Sequence, residues 1–184
     1  MLERIRHRGD PDCFGERWSE PGAALGTNRL AIVDRDHARQ PQTDGDGWIR
    51  VAYNGELYGF DRLRTELEER GHTFRTSSDT EVLIYAYLEW GADFVDRLDG
   101  MFAFVLYDRR TGTFLAARDH IGIKPLYHAV RDGVHYFASE QKCLLGYASD
   151  IRTVEPGTYL TADGTVRYFD LDEIRARREP PRDA

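Results

Sequence analysis

Two stretches of the sequence carry groups that could bind and activate a carbonyl compound. Asn54-Gly55 could direct a side-chain amide and a backbone N–H at one oxygen. Such a donor pair stabilises the anion that forms when a carbonyl carbon is attacked, and losing one donor typically costs about 3 kcal/mol. Glu56 and, further along, Asp79 add carboxylates. Together these residues could hold an amino acid.

Each of these residues also has a structural explanation. Asn-Gly is the strongest short hairpin signal, but a helical pattern begins at Phe60, where a strand should follow a hairpin turn. Asp79 takes the first position of a predicted helix, where a carboxylate favours the positive end of the helix dipole. Spacing alone favours that structural explanation, and Glu56 carries the same ambiguity.

Two arginine-containing segments are open to a similar choice. Arg29 lies within a predicted strand from Leu25 to Val33, so its guanidinium either faces solvent or grips a carboxylate bidentately. Without further context, a guanidinium that faces solvent is the simpler interpretation. Arg118-Asp119-His120 follows a predicted strand and fits a charged turn with a local ion pair, which is worth little at a surface.

The thiols and imidazoles do not point to a second chemistry. The six histidines show no metal-ligand spacing, so neither a metal site nor a cofactor is predicted. Cys13 lies in a loop-like stretch and Cys143 on a predicted helix from residue 140 to 145. Both are expected to be inert thiols rather than nucleophiles.

The surrounding pattern predicts the elements that must position these groups. Alternating apolar residues predict strands, and apolar residues at helical spacing predict helices. Ser78 and Glu81 have the spacing of a capping box. The predicted strands cover residues 23–33, 48–54 and 101–107, and the end of one helix covers 2–7. A second helix begins near Phe60 with Asp61 as its cap and ends at Gly71, and a third starts at Ser78 and ends at Gly91.

Three turn signals indicate how the strands are paired. Asp108–Gly112, Asp132-Gly133 and Asp163-Gly164 predict hairpins, which impose antiparallel pairing. Residues 101–107 are apolar on both alternating faces, which is typical of a strand covered on both sides. The sequence therefore predicts a layered α+β domain over residues 1–170, with a polar tail or linker at 171–184.

Composition excludes several classes of protein. The chain has 184 residues, of which 41% are hydrophobic, and its formal net charge is −7. That charge argues against broad affinity for nucleic acid or an acidic membrane. No stretch is long and apolar enough to span a membrane. Two cysteines suit a reducing cytosol, so we expect a cytoplasmic protein.

These segments together resemble the class II glutamine amidotransferase domain of asparagine synthetases. The resemblance runs from about Leu2 to Phe169, nearly the whole chain. It rests on many motifs in the family's order: His7-Arg8-Gly9, Arg29 to Asp34, Gln40-Pro41, Asn54 to Tyr58, Ser78 to Val82, Gly100 to Phe104, Ala117 to Tyr127 and Phe137 to Glu140.

The resemblance implies a fold and a role for each site residue. The fold is that of N-terminal-nucleophile hydrolases, a four-layer αββα sandwich of two antiparallel sheets between helices. Arg29 would bind the carboxylate of glutamine, and Asp79 with Glu56 would hold its ammonium. Asn54 and Gly55 would form the oxyanion hole. Ammonia released from glutamine would pass to an ATP-dependent synthetase domain, in cis or in trans.

The sequence departs from the family pattern in several places. The family's nucleophile is a cysteine that opens the mature chain on a first strand, and that strand is not in the sequence printed. Asp10 is an extra residue after Gly9, and Thr27-Asn28 stands where a histidine usually precedes Arg29. The Ser-Gly-Gly-x-Asp-Ser segment that binds ATP in the synthetase domain is not found.

Three hypotheses follow. The first is a glutamine-hydrolysing domain with a truncated start, inactive as given, whose unpaired strand edge favours association or a homodimer. The second is a vestigial glutaminase fold that binds glutamine or docks on a synthetase partner. The third is a relative from antibiotic or peptide-cyclising synthetases with an inactive glutaminase half.

Overall fold

The computed structural model describes residues 1–13, 15–30 and 39–172, excluding the Cys13 side chain. Within these ranges the chain forms eleven strands, two α-helices and four 3₁₀ helices. The strands are β1 (Glu16–Glu20), β2 (Ala23–Thr27), β3 (Gln42–Thr43), β4 (Ile49–Leu57), β5 (Gly100–Asp108), β6 (Thr113–Arg118), β7 (Tyr127–Arg131), β8 (Val134–Ala138), β9 (Arg152–Thr153), β10 (Thr158–Thr161) and β11 (Gly164–Arg167). The helices are α1 (Phe60–Glu69), α2 (Asp79–Trp90), and the 3₁₀ segments η1 (Leu2–Arg8), η2 (Pro11–Cys13), η3 (Gly91–Arg97) and η4 (Gln141–Cys143).

The strands form one large antiparallel sheet and a second strand layer. The large sheet has the order β11-β10-β6-β5-β4-β3. The second layer contains the three-stranded sheet β8-β7-β9 and the hairpin β1-β2. All three predicted hairpins are confirmed, since they join β5 to β6, β7 to β8 and β10 to β11. The α+β prediction with antiparallel sheets is confirmed.

The central strand β5 shows why its sequence is apolar on both faces. Phe102, Phe104 and Leu106 enter the core that α2 covers, together with residues of β4 and η3. Ala103 instead belongs to a smaller core with Ala116 of β6, Leu126 and Val154, and the partly buried Val105 packs against it. Covering both faces of a strand requires apolar residues at every position. The prediction that residues 101–107 are covered on both sides is therefore confirmed.

The α-helices lie on one face of the large sheet, where both belong to the main core. The other described helices are 3₁₀ segments: η3 follows α2 into the same core, and η1 contacts η4. The helix predicted at 140–145 is thus a single 3₁₀ turn. None of the helices in the described ranges is long and apolar enough to cross a membrane.

Helix caps were predicted with mixed success. Ser78 is the N-cap of α2, because its hydroxyl accepts a bond from the Thr80 N–H at 3.1 Å. The capping box is wrong, since the buried Glu81 carboxylate binds the Thr76 N–H and hydroxyl instead of returning to Ser78. The Asp61 cap is also wrong. Gly59, in the left-handed region at φ 58°, precedes α1, and Asp61 lies in its first turn.

The predicted strand at residues 23–33 ends earlier than its sequence pattern indicates. β2 stops at Thr27, and Arg29 lies in the loop that follows. Asn28 takes the chain out of the ladder, because its side chain donates to the Leu2 carbonyl (2.8 Å) and accepts from the Gly15 N–H (2.9 Å). Residues 31–38, which carry the predicted strand end, and residues 173–184 of the predicted tail lie outside the described ranges.

Candidate active site

A cavity of about 1370 Å³ lies between the large sheet and the second layer. Its walls include all of β2 and β8, the middle of β4 and β5, and the start of α2. In the described part of the chain, β2 pairs with β1 alone and β8 with β7 alone, so each strand turns an unpaired edge toward this space. Both edges are accessible to a further strand.

The structure brings all five predicted site residues to this one cavity. They come from the loop after β2, from β4 and from the first turn of α2, and they are Arg29, Asn54, Gly55, Glu56 and Asp79. Residues from elements up to 50 positions apart in the sequence are therefore gathered at one place. The turn at Asn54-Gly55 is excluded, because β4 continues unbroken to Leu57.

Asn54 supplies a side-chain donor that lacks an acceptor. Alternation along β4 buries Ile49, Val51 and Tyr53 against the helices and turns Asn54 to the cavity face. The Asn54 Nδ2 atom is buried and has no hydrogen-bond partner among the described residues. A buried donor left unsatisfied costs about 1–3 kcal/mol. An oxygen atom brought by a ligand would remove this cost.

Gly55 supplies a backbone donor at the same point of the strand. Gly55 faces Phe102 in the ladder, but the Phe102 N–H and carbonyl both bond to Asp119, on the side away from β4. The pair is therefore of the type without mutual hydrogen bonds, and the Gly55 N–H points off the outer edge of β4. The neighbouring outward N–H groups of Tyr53 and Leu57 both find side-chain acceptors.

The close approach of β5 restricts position 55 to glycine. A Cβ atom at Gly55 would collide with the Met101 carbonyl oxygen and the Phe102 Cα. Gly100, opposite Leu57 at the end of the same ladder, is restricted in the same way, because a Cβ there would strike the Glu56 carbonyl oxygen. This end of the β4–β5 ladder thus brings its backbones unusually close at the site.

Asp79 lies at the first position of α2 with its carboxylate buried against β4. Its Oδ2 atom accepts from the Tyr53 hydroxyl at 2.8 Å and from the Leu57 N–H at 3.1 Å. Burial raises the pKa of the Asp79 carboxyl, and the bonds from Leu57 and Tyr53 oppose that shift in part. No lysine or arginine of the described residues forms an ion pair with Asp79.

The loop that carries Arg29 is held by the residues that depart from the family pattern. The Thr27 hydroxyl donates to the Gln40 carbonyl at 3.1 Å, and Asn28 ties the loop to η1. The extra residue Asp10 donates its N–H to the Arg29 carbonyl at 2.9 Å. Local support for Arg29 is therefore present without the histidine.

Gln40 joins three elements around the site, a role that the sequence did not reveal. Its side-chain carbonyl accepts from the Tyr53 N–H at 2.8 Å, and its amide nitrogen lies 3.4 Å from the Thr80 hydroxyl. Together with the bond from Thr27, these contacts link the Arg29 loop, β4 and α2. The signal available in the sequence was a glutamine beside a proline, which does not indicate its partners.

The surface ion pair predicted within the turn at Arg118-Asp119-His120 is wrong. Asp119 is fully buried, and its carboxylate accepts backbone N–H groups of Phe102, Ile123 and Lys124. Arg118 donates to three carbonyl groups instead of pairing with Asp119. A carboxylate that replaces missing backbone acceptors stabilises a turn from inside. Asp119 thereby fixes β5 beside Gly55.

The described free cysteine is poorly suited to act as a nucleophile. Cys143 is buried in η4, and burial raises the pKa of its thiol. A thiol needs to be deprotonated to attack, so a raised pKa lowers its reactivity. In the described ranges, no group of three or more histidine, cysteine, aspartate or glutamate side chains could hold a metal ion.

Known proteins resemble the chain in sequence and in fold. Asparagine synthetase [glutamine-hydrolyzing] 3 of Arabidopsis thaliana is 46% identical over 171 residues, covering 92% of this chain and 29% of that protein. Asparagine synthetase B [glutamine-hydrolyzing] of Escherichia coli is 40% identical over 179 residues, covering 93% and 32%. The chain therefore spans about a third of the length of these relatives.

A solved structure agrees with these relatives. The glutamine phosphoribosylpyrophosphate amidotransferase of Bacillus subtilis, complexed with ADP and GMP, superposes with a TM-score of 0.66 at 28% identity, covering 79% of this chain and 34% of that one. The family model described as glutamine amidotransferase domain matches residues 1–167. The chain belongs to the class II glutamine amidotransferase domain family, with the fold of N-terminal-nucleophile hydrolases.

Proposed function

We propose that this domain binds glutamine in the cavity and supports release of ammonia from its side-chain amide. The observation that carries the proposal is the pair of donors on β4. The buried Nδ2 of Asn54 has no acceptor among the described residues, and the adjacent Gly55 N–H points off the strand edge. Two such donors suit one oxygen that gains negative charge, as the amide oxygen of glutamine does when its carbon is attacked.

The charges around the cavity fit the other end of glutamine. Asp79 offers a carboxylate without a cationic partner in the described ranges, and Glu56 lines the same space. We assign the ligand's ammonium to these two residues. Arg29 also lines the cavity, and its planar guanidinium suits the ligand's carboxylate. A ligand with the reverse charges would meet repulsion at each end.

The chemistry follows from the family. A cysteine thiolate attacks the side-chain amide carbon, the carbon–nitrogen bond breaks, and the nitrogen takes a proton and leaves as ammonia. Water then hydrolyses the thioester to glutamate and free thiol. We assign recognition of glutamine to the cavity residues named above, and we do not assign the attack to Cys143, because its thiol is buried and its pKa is raised.

The role in a larger enzyme extends this proposal. The curated relatives quoted above are named asparagine synthetases, and each is about three times as long as this chain. We propose that ammonia is delivered to an ATP-dependent amide-forming domain, in cis or in trans, in the cytoplasm. Residues 1–170 would form the amidotransferase domain, and residues 171–184 would link it to that partner.

Titration calorimetry of the polypeptide 1–184 with glutamine tests the binding proposal. We expect binding in the wild type and its loss in Asp79→Asn, which removes the charge that faces the ammonium. Asp61→Asn is the matched control, because Asp61 is an exposed first-turn aspartate of α1. It should bind like the wild type. No heat from glutamine with the folded wild type would contradict the proposal.

Ammonia release by the same polypeptide separates hydrolysis from binding. We expect none above background from the polypeptide 1–184, because neither Cys13 nor Cys143 carries the free α-amine that takes the thiol proton in the family's mechanism, and a reaction without its nucleophile can be about 10⁶-fold slower. Binding without release agrees equally with a glutamine-binding module, the second hypothesis. Release that disappears in Cys143→Ala would overturn the assignment of Cys143 as an inert thiol.

A further inference from the structure

The Asp79 carboxylate is held by a contact that the assignments above leave unexplained. Its Oδ2 atom receives both the Tyr53 hydroxyl at 2.8 Å and the Leu57 N–H at 3.1 Å. Tyr53 is buried on the helix-facing side of β4, beside Asn54 but on the opposite face. β4 thus carries the Asn54 amide, to which we assign the oxyanion, on one face and the Tyr53 phenol, which binds Asp79, on the other.

We propose that Tyr53 is a positioning residue for ligand binding. Its phenol fixes Asp79 Oδ2 against β4, which leaves Oδ1 of this cavity-lining residue to take the ammonium group of an amino acid. By favouring the ionised carboxylate, Tyr53 also sets the lowest pH at which the amino acid binds. Because it assigns a ligand ammonium to Asp79, this role rests on the proposed function.

The phenol can act only as a donor to Asp79. Burial and the neighbouring Asp79 charge raise the pKa of Tyr53 far above its ordinary value, so the hydroxyl keeps its proton at every physiological pH. A hydrogen bond to the charged form of a carboxylate favours that form. The Leu57 N–H acts in the same direction, but it belongs to the backbone and is fixed by β4.

The other groups around Asp79 do not replace the phenol. Glu56 on β4 disfavours a second negative charge nearby, and it raises the pKa of Asp79. The Thr80 N–H on α2 lowers that pKa. The charge of an ionised Tyr58 would act on Tyr53, whose pKa it raises, and not on Asp79. Arg29 lines the same cavity from the loop after β2 and is assigned to the ligand's carboxylate. Among the described residues, Tyr53 is therefore the side chain whose hydrogen bond opposes the rise in the pKa of Asp79 caused by burial.

Gln40 holds the backbone of Tyr53 and the start of α2. It accepts the Tyr53 N–H at 2.8 Å and reaches the Thr80 hydroxyl at 3.4 Å, one residue beyond Asp79. The two elements that carry the contact, β4 and α2, are thus joined a second time through one buried side chain, which binds the backbone of Tyr53 and the hydroxyl next to Asp79. This double link limits how far α2 can shift when a ligand enters.

Tyr53→Phe tests the inference, because it removes one oxygen and keeps the ring in the core. The pKa of Asp79 is followed by carbon NMR of its carboxyl group without ligand, and glutamine affinity is measured from about pH 5 to about pH 8. Tyr87→Phe is the matched control. The Tyr87 hydroxyl also donates to a buried carboxylate, that of Asp108 at 3.3 Å, in a pair that does not line the cavity.

We expect the pKa of Asp79 to rise in Tyr53→Phe and to stay unchanged in Tyr87→Phe. Near pH 5 the Tyr53 variant should bind glutamine about tenfold more weakly than the wild type, as expected for losing a bond to a charged group. Near pH 8 the difference should shrink to about threefold or less, because Asp79 is then ionised in both proteins.

Three outcomes decide the matter. An unchanged pKa of Asp79 with an unchanged pH profile overturns the inference. A lower melting temperature with neither of those changes means that Tyr53 is merely structural, which also overturns it. If the pKa rises but the wild type binds no glutamine at any pH, the proposed function fails and the assignment of Oδ1 to a ligand fails with it, while the positioning of Asp79 stands.

Discussion

Two buried carboxylates lie near opposite ends of α2. Their neighbours are similar, but their pKa values shift in opposite directions. Asp79, at the start of the helix, accepts from the Tyr53 phenol and a backbone N–H. Asp108, at the end of β5, accepts from the Tyr87 phenol of α2 and the Arg110 N–H. Burial acts to raise the pKa of both carboxyls, yet the pKa of Asp79 is raised and that of Asp108 is lowered.

Arg110 explains why the two pKa values shift in opposite directions. Arg110 donates its Nε to Asp108 Oδ1 at 3.0 Å and its Nη2 to Oδ2 at 2.6 Å, a two-point grip that outweighs the burial. Asp79 has no such cation in the described ranges. A buried charge without a counter-charge is costly. We infer that Asp108 is a completed structural contact, whereas Asp79 is left for a cation that arrives with a ligand.

The largest expected effect is on ligand binding at Asp79. Asp79→Asn should weaken glutamine binding about 100-fold, within the cost of removing one partner of a buried charge pair. The melting temperature of the ligand-free variant should not fall, because the costly buried charge is gone. Calorimetry and thermal unfolding measure the two quantities. A variant that binds glutamine normally would remove the contrast with Asp108.

The second effect is on stability at Asp108. Arg110→Met should lower the free energy of unfolding by about 1–2 kcal/mol near pH 7, a value reduced by the partial exposure of the guanidinium. The lowered pKa of Asp108 determines the direction in which this stabilisation changes with pH. The stabilisation is fully present above the ordinary value of 3.8 and is lost as the pH falls through the folded-state pKa. Urea unfolding at several pH values measures it.

Asp79 should show the opposite dependence on pH in the ligand-free protein. Its folded-state pKa is raised above the ordinary 3.8, so the folded state binds more protons than the unfolded state between those two values. The free energy of unfolding should therefore rise as the pH falls through that window. Subtracting the profile of Asp79→Asn isolates this effect. A difference that falls with acid would place Asp79 in the same class as Asp108.

The smallest effect belongs to the second phenol. Tyr87→Phe should cost about 0.5–1 kcal/mol of stability, because its bond to Asp108 is long at 3.3 Å and Arg110 already satisfies that carboxylate. Glutamine binding should be unchanged. Chemical denaturation measures the loss. A cost well above this range would show that the phenol, and not Arg110, completes the contact at Asp108.

The sequence predicted the elements and the members of the site better than their contacts. The hairpins and the Ser78 cap follow from local patterns, because turns and caps are set by neighbouring residues. The strand predicted at 48–54 instead continues to Leu57, through an Asn-Gly pair that is locally typical of a turn. Tyr53 and Asp79 lie 26 positions apart, and their bond exists only after α2 packs on β4. The same applies to Asp119, whose partners are backbone groups that carry no sequence signal.

The end of β2 before Arg29 is a case in which the sequence pattern predicted more regular structure than the fold contains. Its alternating residues predicted a strand beyond Thr27, but the side chain of Asn28 made two tertiary bonds and ended the ladder. A polar residue that bonds locally or across loops competes with a ladder. That competition depends on Leu2 and Gly15, and neither can be identified as a partner of Asn28 before the fold is known.

The open edges of β2 and β8 have a consequence for amide hydrogen exchange. In an antiparallel pair, alternate N–H groups of an edge strand point away from the partner. In the part of the chain that the structure describes, β2 pairs with β1 and β8 with β7, and those groups point away from these partners, whereas β5 lies inside the large sheet. Deuterium should therefore label every second residue of β2 and β8 quickly and β5 slowly. A strand that adds to either edge would erase that alternation, so the labelling pattern would report strand addition residue by residue.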